Sequence, residues 1–149
     1  MDKKKELLKM ASIIMIVFAA AAIVISVINV YAGAQSLNVE TMDTETRQML
    51  EESLQGTETT IEEAVQTLAN TMYVVFIGTI FFNAVKIVVG VLGLKKCGTD
   101  NPKFFKGWGL FFLLIGIMGI SGGINPLAIC NLIAGIIAPL FYVLVASRR

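Results

Sequence analysis

Residues 60–96 read TIEEAVQTLANTMYVVFIGTIFFNAVKIVVGVLGLKK. The stretch opens on acids, closes on two lysines and is apolar between them. Thr60-Ile61-Glu62-Glu63 has the capping-box pattern. A hydroxyl at the N-cap and a carboxylate three positions on can each satisfy the other's free amide. Apolar residues follow at Ile61, Val65, Leu68 and Met72, a helical spacing, and no Gly or Pro intervenes before Gly78. This predicts one helix from about 60 to 94, on the order of 50 Å long. A bilayer core is about 30 Å thick, so such a helix projects roughly 15–20 Å beyond it.

The charges around this stretch are sorted by sign. Residues 40–63 hold eight of the eleven acids, and with Arg47 they carry −7. Ten of the twelve Lys and Arg residues lie in three other places: Lys3, Lys4, Lys5 and Lys9; Lys95, Lys96, Lys103 and Lys106; Arg148 and Arg149. Asp2, Glu6 and Asp100 reduce those places to +7. Lys and Arg are retained on the cytoplasmic side of a membrane protein, so the pattern gives an orientation. Four apolar segments of spanning length separate the charges, at 9–32, 71–94, 107–124 and 126–146. The expected fold is an all-α integral membrane protein: a four-helix transmembrane bundle with an extracytoplasmic helical hairpin extending from its first two spans. Both termini are expected in the cytoplasm, at the plasma membrane. The acidic loop 34–70 lies outside and the loop 95–106 inside. Lys3 to Lys5 and Ala32-Gly33-Ala34 resemble a signal peptide with its cleavage site, but the apolar run 7–31 is longer than a signal core and reads as an uncleaved first span.

Composition bounds the chemistry. The chain has 149 residues, 56% of them hydrophobic, and a mean hydropathy of +0.76. Net charge is +1, which offers no global basic field for nucleic acid. There is no His, which removes the commonest general base, metal ligand and near-neutral proton switch. No span contains Asp or Glu, and no metal-ligand spacing or phosphate-cradling loop is present. No cofactor is expected, and the enzyme class is excluded at this level. Cys97 and Cys130 sit at opposite ends of their segments and are expected to remain unpaired.

Loop details follow from turn chemistry. Gly56 suits the end of a helix over about 44–54. Ser121 to Pro126 reads as a tight outer turn, with Asn125 as N-cap and Pro126 at the first helical position. Tyr31, Tyr73, Trp108 and Tyr142 fall where interfacial aromatic belts are expected, and Phe104 with Phe105 reads as an interfacial pair.

Small and polar residues fall on one face of each span. They are Ser12, Ala19, Ala22, Ser26, Asn29 and Gly33; Thr79, Asn83, Lys86, Gly90 and Gly93; Gly109, Gly116 and Gly123, with Gly119; and Ala128, Asn131, Gly135, Ala138 and Tyr142. Such stripes let helices approach closely in lipid. Gly119-x-x-x-Gly123 also fits a dimerisation motif. Asn29, Thr79 and Asn131 share a depth and are candidates for hydrogen bonds between helices.

Lys86 stands apart. It lies about 13 Å along the helix from Lys95, a distance of which a lysine stem can snorkel only a part. An intramembrane charge is a functional candidate by default. Its candidate partners are Ser12, Tyr142, Glu6 and the Gly135 carbonyl, which Pro139 leaves without a donor. Two readings remain open, a structural anchor or a contact to an anion or lipid headgroup.

The acidic segment is the other candidate site. Met42, Met49, Leu50 and Leu54 give it an apolar side, bordered by Glu51, Glu52, Glu58 and Glu62. Paired carboxylates there could attract Ca²⁺, but no EF-hand spacing exists. The general plan resembles that of tetraspan membrane proteins. Yet this first loop lacks the Trp and paired Cys of claudins, and the last two spans are joined by a short turn rather than the large loop of tetraspanins. Small multidrug transporters depend on a first-span Glu, which is absent. The reading is a non-enzymatic small membrane protein in assembly or interaction. It would contact the lipid bilayer and either its own copies or another membrane protein. The alternative is a subunit of an oligomeric channel or transporter with the pathway between protomers.

Overall fold

The computed structural model describes residues 3–99, 101–120 and 123–147. Of the described residues 85% are helical and none is in a strand. In order the elements are α1 (Lys3–Ser36), α2 (Thr44–Leu54), α3 (Ile61–Lys96), α4 (Pro102–Met118), α5 (Pro126–Leu132), a π-helical segment (Ile133–Ile137) and α6 (Ala138–Ser147). The last three form one 22-residue helix. That helix, α1 and α3 are each long and apolar enough to cross a membrane. The spans Ser26–Thr79 and 1–25 with 80–149 form two compact units.

Local chemistry accounts for the helix ends. Thr60 and Glu63 form the reciprocal cap: the Thr60 amide donates to Glu63 Oε2 at 3.1 Å, and the Glu63 amide donates to Thr60 Oγ1 at 3.2 Å. α3 then runs unbroken from Ile61 to Lys96. Asp43 caps α2 by accepting from the Thr46 amide at 2.7 Å. Gly56, two residues beyond α2, has φ +86°, a region that Gly enters without steric cost. Asn125 accepts from the Ala128 amide at 2.8 Å and places Pro126 at the start of α5. Asn101 and Pro102 open α4 in the same way, with Asn101 Oδ1 accepting from Phe104 at 3.3 Å.

α4 has 17 residues and stops at Met118, short of the span expected to 124. Gly119 ends it, so Gly119 and Gly123 do not share a helix and cannot act as a helical dimerisation face. Ser121 and Gly122 of the expected outer turn, and Asp2, Asp100, Arg148 and Arg149 of the basic places, lie outside the described residues.

The core of the first unit is built from Leu8, Ala11 and Met15 of α1, Val89 of α3, Phe105 and Phe112 of α4, and Ala138, Tyr142, Val145 and Ala146 of α6. The small residues do what close approach requires. A methyl at Gly109 would lie 2.7 Å from Val143 Cγ2 and 2.9 Å from the Pro139 carbonyl, so α4 and α6 meet almost backbone to backbone. Two aromatic expectations are corrected here. Tyr142 is fully buried, not part of an interfacial belt, because its ring fills the space above Gly93 and stacks edge-on against Phe105 at 5.0 Å. Phe105 is likewise core, while Phe104, about 100° round the helix, is half-buried with Lys96 Nζ 4.6 Å above its ring.

The second unit is more open. Val65 and Ser26 are buried there, and Met72 Sδ sits over Gly33, 2.7 Å from where a methyl would stand. α2 buries none of its residues.

Candidate functional site

Three of the five candidate polar residues come together in the first unit. Lys86 is 6% exposed. Its Nζ donates to Asn83 Oδ1 at 3.4 Å, and Asn83 Nδ2 donates to Asn131 Oδ1 at 3.2 Å. Both bonds run in one direction, from ammonium to amide to amide. The cation polarises the Asn83 carbonyl, which strengthens its amide as a donor. The chain therefore ties α3 to α5 through the residue beside the charge. Asn83 and Lys86 share a face because they are one turn apart.

The floor beneath Lys86 is the π-helical segment. Pro139 has no amide to give the Gly135 carbonyl, and the Ala138 amide reaches back five residues to Ile133. The Gly135 carbonyl turns towards α4, where a methyl on Gly116 would meet it at 2.5 Å. The bare Cα of Gly135 is left facing Lys86, whose Nζ lies 3.4 Å from the position a Cβ would take.

The expected partners of Lys86 need correction accordingly. The Gly135 carbonyl is turned to the neighbouring helix, and Glu6 is exposed on α1. Ser12 and Tyr142 satisfy each other: Ser12 Oγ donates to the Leu8 carbonyl at 2.9 Å and lies 2.6 Å from the Tyr142 hydroxyl. With the Ser12 proton committed, Tyr142 is the donor of that pair. Asn29, Thr79 and Asn131 are the residues expected to share a depth. Asn131 pairs with Asn83, Thr79 donates to the Val75 carbonyl at 2.8 Å, and Asn29 is exposed. Residues one and two turns from Lys86 on its own helix had every signal needed to suggest Asn83. The π-helical floor was signalled only by the Gly135 and Pro139 pair.

The second candidate surface is α2 with its flanks. Met49 is 59% exposed, and Met42, Leu50 and Leu54 are half-buried. Glu51, Glu52, Glu58 and Glu62 are all exposed, and Glu51 receives a 3.4 Å contact from Arg47 one turn earlier. Two hydrogen bonds at Asp43, from the Thr46 amide first and its hydroxyl second, hold the Asp43 carboxyl below the usual carboxylate range.

No family model matches the chain, and neither a curated protein nor a solved structure does so. The site's residues must therefore carry any functional reading by themselves.

Proposed function

We propose that the chain is a non-enzymatic four-span membrane protein that works in assembly, docking a basic partner on its acidic extracytoplasmic hairpin. The observation that carries this reading is α2: it buries no residue, yet it carries Met49 open to solvent beside Glu51 and Glu52. A surface helix usually covers its apolar side. With −7 spread over residues 40–63, two copies of this segment repel, so the chemistry favours a partner that brings lysine or arginine around an apolar anchor. α4 is counted as the fourth span, with its 17 apolar-rich residues supported on α6. Charge sorting supports a plasma-membrane orientation with both termini in the cytoplasm.

A photo-crosslinking residue at position 49, activated in intact membranes, tests the docking. The expected product is a crosslink to a net-basic peptide of another membrane protein, lost on Glu51→Lys with Glu52→Lys and weakened by salt. Crosslinks to a second copy, or none at all, would sink the proposal. The alternative, a pathway between protomers, draws support from the polar chain at Lys86. Its enclosure within one protomer favours a structural tie instead. Lys86→Met in planar bilayers separates the two: the assembly reading expects no change in partner crosslinking and no conductance that depends on this lysine.

A further inference from the structure

The outward side of α4 carries a groove of about 400 Å³, lined by Lys103, Phe104, Gly107, Trp108 and Phe111. A Cβ at Gly107 would meet nothing within 4 Å, so the missing side chain is what leaves the groove open. Its walls are aromatic and held by the core. Phe104 stands edge-on to Phe105 at 5.2 Å, and Trp108 packs on Phe112 at 5.6 Å. Phe105 and Phe112 are both buried. Trp108 also meets Phe111 edge-on at 5.6 Å, and the Lys96 ammonium at the end of α3 sits over the Phe104 ring. The groove is thus preformed rather than a gap between loose side chains. From Lys103 to Phe111 it runs about 12 Å along the helix, close to the roughly 15 Å of hydrocarbon in one leaflet. Lys103 is the charged residue of the lining, and no carboxylate of a described residue joins it. A second copy in the same orientation would bring Lys103 and the exposed Lys106 against their counterparts, and like charges repel. The occupant that fits is apolar along its length and negative at one end.

We infer that this groove holds an anionic phospholipid of the leaflet on the basic side, with an acyl chain over Gly107 between the aromatic walls and the headgroup at Lys103. The indole N–H of Trp108 is a donor of the kind that sits at the boundary between headgroup and chain. The inference rests on the reading of α4 as a membrane span and not on the docking role of α2.

Trp108 is the single tryptophan of the chain and lines the groove, so its fluorescence provides the readout. The full-length protein is reconstituted in phosphatidylcholine vesicles. A rising fraction of the lipid is replaced by dibrominated phosphatidylcholine or by dibrominated phosphatidylglycerol, and bromine quenching is measured. Phosphatidylglycerol is expected to occupy the groove roughly fivefold more readily, the scale of one lysine contact to anionic lipid. Lys103→Gln should bring the two lipids level. Gly107→Leu should do the same while keeping Lys103, because it fills the groove without disturbing the fold. Lys106→Gln removes the same charge from an exposed position outside the groove and should keep the preference. A preference that survives Gly107→Leu, or is lost equally with either lysine, overturns the inference, because diffuse surface charge would then explain it. Quenching by both lipids that falls as the protein-to-lipid ratio rises would put a second copy in the groove and overturn it too. Absence of quenching by either lipid would take α4 out of the bilayer, and the four-span reading would fall with the inference.

Discussion

In residues 1–25 with 80–149, polar side chains meet from far apart in the chain: Ser12 with Tyr142, and Asn83 with Asn131. In residues 26–79 several polar links are local. Asp43 reaches Thr46, Arg47 reaches Glu51, Ser53 reaches Met49 and Thr60 reaches Glu63, all three or four residues away. The first unit is fixed by interlocked surfaces with glycine at the closest approaches. The second packs more sparsely, through Val65 and Met72 on Gly33, and leaves apolar side chains such as Met49 uncovered. Rigidity and availability are thus divided between the two parts of one chain. A helix such as α2, which buries none of its residues, can be remodelled by a partner at small cost, whereas an interlocked core cannot.

The sharpest way to break this comparison is to spoil one interlock. Gly109→Ala should lower the stability of the detergent-solubilised protein by about 2–3 kcal/mol, since the added methyl meets the Pro139 carbonyl as well as a side chain and backbone gives least. Thermal unfolding followed by circular dichroism reads this as a fall in midpoint, with a cooperative loss of the whole first unit. In the second unit, Thr60→Ala removes one side of the reciprocal cap and should cost about 1 kcal/mol. Its effect should stay local: faster hydrogen exchange at the start of α3 with an unchanged midpoint. A global loss from Thr60→Ala would erase the distinction between the units. Tyr142→Phe is a finer probe of the interlock. It deletes the hydrogen bond to Ser12 and keeps the ring in place, so the expected cost is only about 0.6 kcal/mol, a typical value between membrane helices.

The helices themselves were legible because their signals are local and redundant. The Thr60 capping box, Gly56 and the Asn125-Pro126 start each act within one turn of the residues that announce them. The stripe of Asn83, Lys86, Gly90 and Gly93 was legible for the same reason, since periodicity alone puts those residues on one face. What periodicity cannot supply is the partner across the interface. Tyr142 could be an interfacial ring or a core ring until Gly93 and Phe105 are known to be its neighbours. Lys86 illustrates the same limit. Its depth was evident, but the choice among acceptors depended on which way the Gly135 carbonyl turned once Pro139 had withdrawn its amide and the helix had widened by a residue. α4 was over-extended because apolar residues continue past Met118, and hydropathy does not register the end that Gly119 makes.

The smallest expected effect tests the availability side of the comparison. Asp43 caps α2 as a carboxylate, and its hydrogen bonds from Thr46 stabilise the ionised form and lower its pKa in the folded state. The unfolded-state value is about 3.9. A lowered folded value means that the contribution is fully present above the unfolded value and is lost as pH falls through the folded one. Hydrogen exchange at the amide of Thr46 should therefore be slow and level at neutral pH, after correction for intrinsic rates, and should accelerate only below about pH 4. Asp43→Asn caps without titrating and should remove that dependence while leaving neutral-pH protection nearly unchanged. If the Asn variant kept the same acid transition, the loosening would belong to the other carboxylates of the segment. If α2 stayed protected at acid pH in both proteins, something other than its cap would be holding it, and the open Met49 face would need a different explanation.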